Sequence, residues 1–63
     1  MHFTYELYVR RANGHVQFQP LTFRGSEVDV MRHVEGLLEE TGAVAIEVRR
    51  LGQYLFTLGS DLG

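Results

Sequence analysis

The chain contains no cysteine, no lysine and no tryptophan, and its single proline is Pro20. Without cysteine no disulfide can staple the fold and no thiolate metal site can form. The longest unbroken aliphatic run, residues 43–46, is far short of the roughly 20 residues that a membrane span requires. The first residues alternate and carry Glu6, Arg10 and Arg11, unlike a secretory signal, so a cytoplasmic location is expected by elimination. All six basic residues are arginine, which reads first as the coding bias of a GC-rich bacterial genome and only then as selection for guanidinium chemistry.

What is present is one small domain of 63 residues with a net charge of −2. A domain of this size buries only about 60% of the surface that its unfolded chain exposes, so it gains much from association. Residues 26–42 carry one arginine against five acids, whereas the rest carries five arginines against three acids. An acidic helix on a mildly basic sheet is the expected result.

Phe3, Tyr5, Leu7 and Val9 alternate with Thr4, Glu6, Tyr8 and Arg10, which predicts a half-buried strand over 2–11. Asn13-Gly14 then predicts a two-residue type I′ hairpin turn into a second strand over 15–24. That register sets Val9 opposite Phe18 and leaves Leu21 and Phe23 out of phase. An extra residue near Gln19-Pro20 would restore the phase, pairing Leu7 with Leu21 and Tyr5 with Phe23. A bulge there, and an edge position for the second strand, are therefore expected.

Ser26 is placed to cap a helix over 27–41, with Glu27 and Asp29 complementing its positive end. Val30, Met31, Val34, Leu37 and Leu38 fall on one face, and Gly42 is the expected left-handed terminator. Gly36 lies on the outer side, with no evident reason to be glycine. Val44, Ile46 and Val48 mark a third strand over 43–50, and Tyr54, Phe56 and Leu58 a fourth over 54–58. Turn chemistry favours a two-residue Gly52-Gln53 loop between them. Hydrophobic phase favours an odd loop that pairs Val48 with Phe56 and Ile46 with Leu58. Burial is expected to decide for the odd loop. Residues 59–63 read as a loose tail.

Short connections and a right-handed crossover, with Pro20 on an edge, select an α+β fold. It is ββαββ: a four-stranded antiparallel sheet in order 2-1-3-4 with one helix on one face. The inward set includes Val16, Phe18, Met31, Val44 and Tyr54. The hairpin and helix, residues 3–50, resemble the small HicB-type antitoxin domain in topology. Phe23-Arg24-Gly25-Ser26 stands where that family has a proline-rich linker, and such a likeness transfers no function.

Little in the chain points to catalysis. Glu35, Glu39 and Glu40 lie on a solvated helix face, which offers no enclosed site for acid–base work. His2, His15 and His33 are scattered without metal-ligand spacing, and capping accounts for Ser26. No cofactor, metal or membrane partner is expected.

Two surfaces stand out instead. Tyr54-Leu55-Phe56-Thr57-Leu58 forms an edge with no charge, proline or glycine, which invites pairing with another chain. The first reading is thus a non-catalytic protein-interaction module that forms a homodimer through Leu51, Tyr54, Leu55, Phe56 and Thr57, with Tyr8 adding an apolar contact. The alternative is that residues 59–63 fold back over that edge. The second reading is nucleic-acid binding by Tyr8, Arg10 and Arg49 on the open face. Glu6 and Glu47 oppose it by neutralising Arg10 and Arg49, as does the acidic pI of about 5.8. The third is a small enzyme whose site is shared between subunits and lined by His2 or His15.

Overall fold

The computed structural model describes residues 2–59 and has the expected element order. The elements are β1 (His2–Arg10), β2 (Val16–Arg24), α1 (Glu27–Thr41), β3 (Ala45–Arg50) and β4 (Gln53–Gly59). The strands form one antiparallel sheet in the order β2-β1-β3-β4. Gly59 thus ends β4, and the rest of the expected tail lies outside the described residues. No helix among the described residues is long and apolar enough to cross a membrane.

The helix starts where its capping chemistry dictates. Ser26 Oγ accepts from the Asp29 amide at 3.3 Å, and the Asp29 carboxylate accepts from the Ser26 amide at 3.0 Å. This reciprocal pair satisfies two donors that an isolated helix end leaves orphaned. At the other end Gly42 is left-handed at φ 69°, and its amide donates to Leu38. The helix rests chiefly on β4 and β3, and Val30 and Val34 are fully buried. They meet Tyr5, Leu7 and Val9 of β1 and Ile46 and Val48 of β3. Each such side chain contributes about 1.5–3 kcal/mol by leaving water.

The first hairpin differs from the sequence expectation. Arg11 donates to His15 at 2.8 Å and Gly14 donates to Arg11 at 2.9 Å, closing a three-residue loop over Ala12, Asn13 and Gly14. Asn13 does not take positive φ; Gly14 alone does, at 87°, as in a type I turn followed by a left-handed residue. The Asn13 side chain instead accepts from the His15 amide. The odd loop keeps Leu21 opposite Tyr5 and Phe23 opposite Phe3 in unbroken register, so the bulge at Gln19-Pro20 does not form. It also turns Val16 and Phe18 away from the core, leaving them 52% and 53% exposed. Burial could not enforce the other register, because the helix does not reach this end of β2. Gln17 and Gln19, on the helix side, are exposed too.

β2 is an edge, as Pro20 implied. Hydrogen-bonded pairs alternate along an antiparallel ladder, and Arg11 with His15 sets the phase. Odd residues of β2 therefore bond β1, and Pro20 falls where its missing donor would have faced solvent.

The second hairpin closes on a two-residue loop rather than an odd one. Leu51 and Gly52 both take positive φ, 52° and 78°, which defines a type I′ turn. The expected pairs Val48 with Phe56 and Ile46 with Leu58 nevertheless form. A bulge reconciles the two, because Tyr54 faces Arg49 and Phe56 faces Val48, leaving Leu55 as the extra residue. The bulge turns Leu55 onto the core and Tyr54 out of it, 52% exposed. Met31 is also more exposed than expected, and Val44 is only half-buried, just before β3.

Candidate interaction surfaces

The face of the sheet away from the helix is built in rows across the strands. Register puts Phe18, Tyr8, Glu47 and Thr57 in one row. Towards the β3–β4 turn lies the row Pro20, Glu6, Arg49 and Tyr54; towards the first hairpin lies Val16, Arg10, Ala45 and Gly59. Tyr8, Arg10 and Arg49 thus share one face, as their strand phases implied. Phe18 and Tyr54 join them, which the sequence reading missed. The Phe18 ring stacks at a tilt on Tyr8, with centroids 5.4 Å apart. The number of residues in each turn was the only signal that could have placed them there.

The charges on this face are tied within the molecule. Glu47 accepts a charge-assisted hydrogen bond from Arg49 Nε. That bond, with the attraction of the Glu47 charge, raises the guanidinium pKa further above its ordinary value. Arg49 also lies over the Tyr54 ring, 5.9 Å from its centroid. Glu6 accepts from the Gly52 amide at 3.2 Å instead of pairing with an arginine across the strands. The neutralisation of Arg49 therefore comes chiefly from Glu47 on its own strand, with a smaller contribution from the Glu6 charge. A shallow concavity of about 120 Å³ opens between Tyr8, Arg10, Val16, Glu47 and Thr57, with Ala45 (2% exposed) below it.

β4 is the second edge of the sheet. Its residues divide: Leu55 and Phe56 pack against the core, whereas Tyr54 and Thr57 face the open side, joined hydroxyl to hydroxyl at 2.9 Å. Leu51 sits at the turn, 87% exposed. The ladder phase that places Ile46 and Val48 in bonded pairs with β4 leaves the backbone groups of Thr57 and Gly59 pointing away from the sheet.

The remaining candidates are not brought together. His15 is in the first turn, and His33 packs on Phe23 with ring centroids 5.2 Å apart. Glu35, Glu39 and Glu40 are exposed on the helix. Among the described residues, no group of three or more His, Cys, Asp or Glu is placed to hold a metal ion.

No family model, curated protein or solved structure matches this chain. The topological likeness to HicB-type domains therefore has no sequence match behind it.

Proposed function

We propose that this protein is a small non-catalytic interaction module that self-associates, with β4 as its pairing edge. The observation that carries this reading is the contrast between the two edges. β2 has a proline at an outward donor position, while β4 from Tyr54 to Leu58 has no charge and no proline. An unguarded edge is a template for another strand. Antiparallel pairing of β4 with its copy about a two-fold axis joins two sheets into one and satisfies the outward groups of Thr57. Leu51, Tyr54 and Leu55 flank that contact. The nucleic-acid reading is weaker, because Arg49 is already held by Glu47.

Thr57→Pro tests the edge. It removes an outward amide without breaking the internal ladder, copying the arrangement at Pro20. Native mass spectrometry should show the wild type as an even multiple of the 7.2 kDa chain and the variant at half that mass. A monomeric wild type, or a variant of unchanged mass, rules the edge out.

A further inference from the structure

We infer that the open face of the sheet is a second self-association surface, on which another copy packs face to face about a two-fold axis crossing the strands at Tyr8. The rows of this face are self-complementary. An axis lying between the two sheets, perpendicular to the strands and level with the Phe18–Tyr8 row, lays the Glu6 row of one copy over the Arg10 row of the other. Glu6 then falls over Arg10 of the second copy, and its own Arg10 under that copy's Glu6, so acid meets base twice.

Size complements size in the same superposition. Arg49 and Tyr54, the large members of one row, fall over Ala45 and Gly59, the smallest members of the other. The concavity of about 120 Å³ above Ala45 is space for the incoming Arg49 end. Pro20 lands over Val16, apolar on apolar. At the axis Tyr8 and Phe18 meet their own copies, and aromatic pairs favour such offset contact. Glu47 also meets itself, with its charge answered by Arg49 in each chain.

Moving the axis by one row in either direction slides part of this pattern off the sheet, since β3 pairs β1 only from Glu6 to Arg10. Sheets packed in this manner lie about 10 Å apart with strands within about 30° of each other, so the correspondence is closest at the centre. The contact also covers Val16 and Phe18, which the helix cannot reach. It is isologous, as a two-fold contact must be, and so it closes rather than propagating. It uses none of the outward backbone of β4, and it stands whether or not that edge pairs.

A charge-exchange experiment tests it. Glu6→Arg sets base against base across the axis, and Arg10→Glu sets acid against acid. Each variant alone should have half the wild-type mass by sedimentation equilibrium, and an equimolar mixture should regain the full mass. The twofold drop and its recovery are read in the same way with β4 paired or free. Recovery in the mixture also shows that both variants fold. Phe18→Arg, at an exposed position, should halve the mass while keeping a cooperative urea transition, whose midpoint falls only by the stability that association supplied. Single variants of wild-type mass, or a mixture that stays at half mass, overturn the proposal. So does tight binding of a fluorescent single-stranded oligonucleotide that is lost steeply with salt and competes with self-association.

Discussion

Gly59 crosses Val44 so closely that a Cβ at position 59 would lie 2.4 Å from the Val44 carbonyl oxygen. Its φ of 106° is also one that residues with side chains rarely adopt. Backbone cannot move aside as a flexible side chain can. Gly59→Ala should therefore lower stability by about 1–3 kcal/mol, the range for one strained backbone position. Urea denaturation checks this: the midpoint should fall at constant slope. An unchanged midpoint would show that the last residue of β4 is not anchored against Val44.

Leu51 presents the opposite case, a side chain where glycine or asparagine belongs. Among the described residues it is the only non-glycine with positive φ. Left-handed backbone costs an ordinary residue roughly 1–2 kcal/mol, and Leu51 recovers little by burial. Leu51→Asn should raise monomer stability by about 1 kcal/mol, given the preference of type I′ turns for asparagine. A loss of stability would mean that the leucine has a packing role. Weaker association in the stabilised variant would assign Leu51 to the interface.

Gly36 stands in the middle of α1 with nothing within 4 Å of where its Cβ would be. Alanine there removes the backbone-entropy penalty at no steric cost. Gly36→Ala should stabilise the monomer by about 1 kcal/mol, read from thermal or urea unfolding. A variant less stable than wild type would contradict the open surroundings of that site.

Asp29 gives the fold one defined acid sensitivity. Hydrogen bonds from the Ser26 backbone and hydroxyl hold its pKa below the ordinary 3.8. The folded pKa is depressed, so the stabilisation is fully present above the unfolded value. It is lost as pH falls through the folded value. Asp29→Asn should be less stable than wild type near neutrality, with the gap closing as pH falls below the ordinary 3.8 and through the lowered folded value. A gap that stays constant with pH would assign the cap's contribution to hydrogen-bond geometry rather than charge.

Strand and helix identities were legible because each rests on local period and local chemistry. The alternation from Phe3 to Arg10, Ser26 with Asp29, and Gly42 required no knowledge of distant parts of the chain. Strand order was legible because Pro20 restricts where its strand can lie. Both hairpin turns were misread, although the expected pairs of Val48 with Phe56 and Ile46 with Leu58 formed. Asn13-Gly14 suits two turn lengths that differ by one residue, and the choice between them depends on how far the helix reaches over β2. At Gly52 the conflict between turn and phase was visible, but its resolution by a bulge at Leu55 was not. Tyr8, Arg10 and Arg49 were correctly placed on one face because β1 and β3 carry no irregularity along their shared ladder. The neighbours Phe18 and Tyr54 were missed because each follows a turn whose length was misjudged.

The odd length of the first loop acts as a parity switch. Deleting one residue between Arg11 and His15 would rotate every side chain from Val16 onward by half a turn about the strand. Phe18 would then turn to the helix side, where Gln17 and Gln19 are exposed, and Leu21 and Phe23 would be cast out. The same amino acids would thus describe a chain with a poorer interior. A single insertion or deletion in this loop, with no change in composition elsewhere, is enough to exchange the two faces of β2.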